Sequence, residues 1–425
     1  MKILLINTSE KTGGAAVACK RLKQALQKSG VEVKMLVRDK STDDKDVISV
    51  VTSKKNLIAS QLRFVGERLT IFAANGFTRK NLFAVSIANT GISISEHPAV
   101  KEADILHLHW INQGFLSLSE IKKLIQLGKP IVWTMHDMWP ATAICHHSRD
   151  CENYQTECRD CFFLQHPGKR DMSNSVFRKK KKIWENSGIE FVTCSRWLEN
   201  RTKVSALINP IQVRAIPNPL DISFYQPKDK QIARERFGLP MEKKLLLYGA
   251  ANVTDKRKGI DYYVDACRIL SEKYPSTQSD IELVFLGKAK ENIDSLFPFP
   301  IHQIGYLTDD VAIRDLYCAV DLFVTPSLEE NLPNTIMESM ACGTPATGFC
   351  VGGIPEMIEH KHNGFLSVYK SAENLAEGIY WILWKANYAE LSQNARKKVE
   401  DCYSDAFVAQ EYIHLYSQLL SKPDK

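Results

Sequence analysis

The chain has 425 residues, 44% of them hydrophobic and 24% charged, with a formal net charge of +6. That composition excludes a disordered or fibrous chain and predicts a folded protein of two or three domains of about 100–200 residues each. The modest positive charge suits an anionic small molecule or an acidic membrane surface and does not require nucleic acid.

The opening MKILLINTSE is apolar only from Ile3 to Ile6, too short for a secretory leader, so it reads as a first strand. No stretch approaches the ~20 apolar residues that span a bilayer, which predicts a cytoplasmic protein. TGGAAV then turns the chain, and ACKRLKQALQKSG repeats apolar residues at helical spacing up to Gly30. VEVKMLV gives a second strand, completing a β-turn-α-β unit with parallel strands. Residues 40–98 show weak periodicity, with basic residues scattered among apolar ones. Order resumes with DILHLHW, a helix around 119–127, PIVWTMH, FVTCS near 191 and VRAIPNP near 213.

The same grammar restarts near residue 243. KKLLLYGAA is a strand, DKRKG a basic turn, IDYYVDACRILSEKY a helix and IELVFLG a strand, and DLYCAVDLFVTPS leads from a helix into another strand. The fold class is therefore α/β, with two Rossmann-like domains facing a central cleft. The expected boundaries are 1–225, 226–400 and a C-terminal helix, 401–425, packing back on the first domain. Ligands of such sheets bind outside the carboxyl ends of the strands, where every charged or glycine-bearing loop of this chain falls.

Two glutamates, Glu330 and Glu338, follow one of those strand ends in EENLPNTIMESMACGTP. Ser327-x-x-Glu330 and Thr335-x-x-Glu338 both match a capping box, and Pro333 suits a helix start. The alternative is that both carboxylates face a cleft and hold hydroxyl groups. The loop Asn252-Val-Thr-Asp-Lys256-Arg257-Lys258-Gly259 puts three cations at a strand-to-helix turn, either a solvated basic turn or a diphosphate site. No GxGxxG or GxxxxGK[ST] pattern is present, which disfavours a nicotinamide enzyme or a P-loop ATPase.

In order along the chain, these segments resemble the family-four retaining glycosyltransferases, which have the GT-B architecture and use nucleotide-sugar donors. The resemblance rests on DILHLHW, VWTMHD, Ile216-Pro-Asn-Pro-Leu-Asp221, Arg257-Lys258-Gly259, the Glu330/Glu338 segment and Gly352-Gly353-Ile-Pro-Glu356. It covers most of the chain, is strongest from 245 to 366 and is weak at 40–98. It implies that Glu338 holds the donor ribose, that Glu330 holds hydroxyls of the moving sugar, and that Lys258 neutralises the departing diphosphate. Gly14, Asn252, Arg257, Gly287, Tyr306, Leu332, Pro333, Asn334 and Thr335 complete the implied donor set. Many relatives carry an arginine where this chain has Asn252, so Arg257 or Lys256 is expected to meet the second phosphate charge. The resemblance places His136 beside the sugar, with catalysis needing no metal. It implies a UDP- or GDP-sugar donor, a glycan or lipid-linked saccharide acceptor and peripheral membrane contact.

The acceptor side is less specific. His107 and His109 alternate along a strand and share one face, either as a buried hydrogen-bonded pair or as acceptor contacts. His136-Asp137 follows a strand end, where catalytic groups collect. Cys145, Cys151, Cys158 and Cys161 crowd into seventeen residues and read as a structural zinc site, with His146 or His147 as substitute ligands. Seven further cysteines are scattered and pack as small hydrophobes. The run Arg178-Lys-Lys-Lys-Lys182 reads as a solvated helix face, with anionic headgroups as the alternative. Competing functions are an inverting GT-B transferase, a sugar-nucleotide epimerase and a non-catalytic nucleotide-sugar-binding protein.

Overall fold

Ile3 to Ile6 are each no more than 2% exposed, the continuous burial expected of a central parallel strand covered on both faces. In the computed structural model, which describes residues 1–209, 211–288 and 293–421, they sit at the middle of a seven-stranded sheet. Its strands are β1 (Lys2–Ser9), β2 (Glu32–Asp39), β3 (Val47–Ser49), β4 (Ile105–Leu108), β5 (Ile131–Met135), β6 (Ile189–Thr193) and β7 (Val213–Ala215). Every pairing is parallel and the order is β3-β2-β1-β4-β5-β6-β7. The order reverses between β1 and β4, so the loops leaving those two strands diverge and open a crevice at their carboxyl ends.

The second sheet repeats the plan with six parallel strands. These are β8 (Lys244–Asn252), β9 (Ile281–Lys288), β10 (Ile301–Gly305), β11 (Leu322–Thr325), β12 (Ala346–Phe349) and β13 (Gly364–Ser367), in the order β10-β9-β8-β11-β12-β13. Its reversal lies between β8 and β11. The basic loop follows the first of these strands, and the glutamate segment follows the second.

The chain from Met1 to Pro219, together with the chain from Val408 onward, makes one unit, and Leu220–Phe407 makes the other. The expected return of the C-terminus to the first sheet is made by the helix Asp405–Leu420, whose Val408, Tyr412 and Tyr416 are buried in one cluster with Ile3, Leu5 and Cys19. The preceding helix, Tyr388–Tyr403, stays with the second unit, and residues 422–425 of the expected terminal helix lie outside the described residues.

Helix α1 (Gly14–Lys28) buries Ala18, Leu22, Ala25 and Leu26 at helical spacing and ends at Gly30, whose φ of 82° suits glycine. The weakly periodic region 40–98 holds β3 and a 21-residue helix, α2 (Lys54–Ala74), capped by Ser53. Periodicity failed to show α2 because this helix buries Ser60, Glu67 and Arg68 and leaves leucines in solvent. No described helix is long and apolar enough to cross a membrane.

Candidate active site

The geometry of the glutamate segment speaks against the capping reading. The helix beyond β11 begins at Asn334, with Pro333 at its N-cap offering no side-chain acceptor. Glu330 lies before that helix and Glu338 in its second turn, so neither belongs to a capping box. Glu330 accepts a hydrogen bond from Ser327 Oγ at 3.0 Å and forms an ion pair with Lys258 Nζ, from the loop after β8. Glu338 is 7% exposed and accepts the Tyr317 hydroxyl at 3.0 Å. Leu332 and Pro333 are buried, while Asn334 and Thr335 in the first turn are half-buried.

Backbone contacts hold the two loops in register. Leu328 N donates to Arg257 O at 2.7 Å, tying the glutamate segment to the basic loop. Gly259 has φ 72°, and a Cβ there would lie 1.8 Å from the carbonyl oxygen of Pro326. Gly352 has φ 61°, and its Cβ would lie 1.7 Å from the carbonyl oxygen of Glu330, so only glycine admits this approach at either position. Gly353 N then donates to Asn331 O at 2.8 Å. The cation and the carboxylate thus stand on opposite sides of the β8/β11 reversal, fixed from three loops.

The remaining donor-side candidates distribute around this centre. Asn252 ends β8, and its side-chain oxygen accepts from the Thr254 hydroxyl at 2.9 Å. Arg257 forks onto Asp255, with its nearer bond at 2.8 Å, so its charge is already engaged within the loop. Gly287 packs against the Ala250 carbonyl with φ 132°. Tyr306 is exposed, and Lys288 Nζ lies 5.5 Å from its ring centre at the end of β9. Gly14, the first residue of α1, is exposed in the other unit.

The first unit collects imidazoles at the ends of β4 and β5. His107 is fully buried, its ring nitrogens 2.6 Å from the Tyr416 hydroxyl and 2.7 Å from Thr134 Oγ1, which also bonds Tyr412 at 2.8 Å. The His107 and His109 rings stack at 4.3 Å, and His109 Nδ1 lies 2.9 Å from His136 Nε2. Burial holds all three neutral: His107 at about 3, His136 at about 4 and His109 well below the usual histidine range. Asp137 accepts from Trp110 Nε1 at 3.0 Å and bonds His146 Nδ1 at 2.7 Å. Burial would raise its carboxyl, but the charge and hydrogen bond of His146 outweigh that and bring it to about 2.

The zinc reading of the cysteine cluster finds no support among the described residues. Among the described residues no three His, Cys, Asp or Glu side chains are placed to hold a metal ion. Cys145, Cys151, Cys158 and Cys161 are free thiols that line a cavity of about 20 Å³ with Tyr154 and Ser173. Burial pushes the Cys145 thiol up, and brings Cys158 to about 12 and Cys161 to about 11. His146 serves Asp137 and Ser86 instead, the latter at 3.0 Å. The basic run needs a correction. Arg178, Lys179, Lys181 and Lys182 are exposed, but Lys180 is wholly buried. Its Nζ donates to the carbonyls of Trp139 at 2.6 Å and Thr142 at 3.0 Å and sits 3.2 Å from the Trp139 ring centre. Burial holds its ammonium well below the usual lysine range.

Several supporting residues escaped the sequence reading. Gly352 had a visible signal, a Gly-Gly pair just after a strand. Tyr317, Tyr412 and Tyr416 had none, because their partners lie 21 to 309 positions away in the chain.

Two Rossmann-like parallel sheets in series, each with polar residues at its reversal point, define the class of GT-B glycosyltransferases. Residues 12–224 match Glycosyltransferase Family 4, and residues 242–384 match Glycosyl transferases group 1. The chain belongs to glycosyltransferase family 4. Among curated relatives, the putative colanic acid biosynthesis glycosyl transferase WcaC of Escherichia coli K12 is 24% identical over 341 residues, 76% of this chain and 77% of that one. The chain spans only 61% and 41% of the length of two other relatives it matches. Among solved structures, sucrose-phosphate synthase from Thermosynechococcus elongatus superposes with a TM-score of 0.67 at 20% identity, over 99% of both chains. HepE of Anabaena in complex with UDP-glucose gives 0.65 at 16%, over 98% of this chain and 100% of that one.

Proposed function

We propose that this glycosyltransferase moves a hexose-type sugar from a nucleotide-sugar donor, a UDP- or GDP-sugar, to a glycan or lipid-linked saccharide of a surface polysaccharide. The anomeric configuration is retained, and the chemical step needs no metal. The observation that carries this reading is the Lys258–Glu330 pair at the β8/β11 reversal. A single ligand placed there meets a cation suited to phosphate and a carboxylate suited to sugar hydroxyls. When the bond between the sugar and the diphosphate breaks, negative charge gathers on the leaving group. A fixed ammonium aimed at that charge is the kind of term that dominates such catalysis. Glu338, seated by Tyr317 about two turns further along the chain, is the ribose ligand in this reading, and His136, held neutral in the first unit, is an uncharged hydrogen-bonding group. A relative in colanic acid biosynthesis and a fold neighbour solved with UDP-glucose support the acceptor class and donor class respectively.

The test has two stages. A thermal-shift panel of UDP, GDP, ADP, TDP and CMP should single out one nucleoside diphosphate, since a ligand at 100 times its Kd adds about 2.7 kcal/mol. The matching donor, incubated with lipid-linked saccharides, should then yield a product whose anomeric proton coupling is that of the donor. An inverted product would reject retention. Donor isomerised without acceptor would make the protein an epimerase.

A further inference from the structure

Helix α2 is built inside out. Its inward face carries Ser60, Glu67, Arg68 and Ile71. Glu67 Oε1 accepts the amides of Ile87 at 2.8 Å and Ala88 at 2.9 Å. Arg68 donates to the carbonyls of Leu82 at 2.6 Å and Val85 at 3.0 Å and pairs with Glu67 at 3.0 Å. Polar anchors therefore fasten the helix to the loop 82–88. The outward face is apolar. Ile58, Leu62, Val65 and Leu69 recur at i, i+4, i+7 and i+11, a narrow stripe along more than three turns, and are 57%, 64%, 44% and 59% exposed. Phe77, 72% exposed, meets Phe72 of the same helix edge-on at 5.6 Å and extends the patch. Scattered exposed apolar residues are ordinary, but four in one register on one helix mark a covered surface.

The charges around the stripe say what covers it. Between residues 51 and 83 the cations are Lys54, Lys55, Arg63, Arg68, Arg79 and Lys80, and the single acid is Glu67, which faces inward. Lys54, Lys55, Arg79 and Lys80 are exposed. A second copy of the same helix would bring these cations against one another with no exposed acid to answer them, although the 4-3-4 spacing alone would suit such a pair. An anionic lipid surface takes both features at once, the apolar stripe entering the headgroup boundary and the cations resting on the phosphates. We infer that α2 is a membrane-docking helix that seats this unit on anionic lipid through Ile58, Leu62, Val65 and Leu69. The inference stands on α2 alone and does not depend on which sugar is moved.

Flotation with vesicles tests it. The full chain should float with vesicles of phosphatidylcholine containing about one-third phosphatidylglycerol and far less with phosphatidylcholine alone. The Leu62→Glu/Leu69→Glu variant should lose at least about tenfold in partitioning, because both sites are exposed in the free protein and turn toward lipid only when bound. The milder Leu62→Gln/Leu69→Gln variant gives a second reading if the charged one folds poorly. Each of Lys54→Ala and Lys55→Ala should weaken binding about fivefold, an effect that shrinks as salt rises. Equal flotation of the wild type and both leucine variants would overturn the proposal, as would a wild type that ignores anionic vesicles. Loss of binding in Lys179→Ala/Lys181→Ala/Lys182→Ala with none in the leucine variants would move the contact to that basic run and overturn it likewise. A lipid-free dimer in sedimentation that Leu62→Glu dissolves would assign the stripe to a second copy instead.

Discussion

The two units place their candidate groups at equivalent positions, the carboxyl ends of strands beside a sheet reversal, yet fill them with opposite chemistry. In Leu220–Phe407 the groups are ionic and come from short loops: Lys258 with Glu330, and Arg257 with Asp255. In the other unit they are neutral imidazoles, stacked and buried, whose supports arrive from a helix 309 residues away. An ionic site at half-exposed loops is ready to exchange its partners for a charged ligand. A buried neutral stack can only offer shape and uncharged hydrogen bonds, which suits holding a sugar or an acceptor hydroxyl rather than a phosphate. The division predicts that mutations in the two units fail in different ways.

The largest effect belongs to the ionic site. Lys258→Ala should lower turnover about 100-fold with the fold intact, since a preorganised charge at a leaving group is lost. Circular dichroism and a steady-state assay measure this, and an active, folded variant would remove Lys258 from the chemistry. In the buried unit the largest effect should be structural. Lys180→Met keeps the apolar stem but strips two carbonyls of their donor, and should destabilise the protein by about 1–3 kcal/mol. Denaturant unfolding gives that number, and nucleotide affinity in the other unit should not move.

Acid should separate the units as well. The unfolded histidines bind protons near their ordinary value of 6.5, whereas His107 and His136 resist protonation down to about 3 and about 4. Between these values the unfolded chain binds more protons, so stability is full above about pH 6.5 and is lost as pH falls. The slope is up to about 1.4 kcal/mol per pH unit for each such histidine. Hydrogen exchange followed by mass spectrometry from pH 7 to 5 should show β4 and β5 opening before β8 and β11. Uniform loss of protection, or none, would mean that the imidazoles are not the weak point.

The same contrast explains what the amino-acid order disclosed. The repeated strand–turn–helix grammar shows both sheets, because central parallel strands are apolar throughout and their helices keep a 3.6 period. Lys258, Glu330 and Glu338 stand out because charges in a glycine-bearing loop after an apolar run have few other uses. α2 stayed hidden because its polarity is reversed, and a periodicity argument assumes that the apolar face is the buried one. Lys180 stayed hidden inside a run of like charges, since nothing local distinguishes the one lysine that points at Trp139. The cysteine spacing suggested a metal through density alone, and the fold gathers the four thiols around one small cavity.

The finest test bears on the two glutamates. Glu338→Gln keeps an amide oxygen for the Tyr317 hydroxyl, so the fold should hold. What it loses is the charged acceptor, and a charge-assisted hydrogen bond is about twice as strong as a neutral one. If Glu338 grips the ribose, the loss is about 1 kcal/mol, or roughly fivefold, and it falls on the free nucleoside diphosphate and the donor alike. Glu330→Gln acts differently, because Glu330 is the partner of Lys258. Its removal leaves that ammonium free for phosphate, so diphosphate affinity should stay the same or rise, while kcat falls because the moving sugar has lost its acceptor. Calorimetric titration with the cognate nucleoside diphosphate, alongside rates for each variant, reads both quantities. Opposite signs on nucleotide affinity would show that the ion pair and the ribose contact are separate devices within one loop. Matching losses in both variants would merge them into one electrostatic site, and two silent variants would leave Lys258 alone with the chemistry.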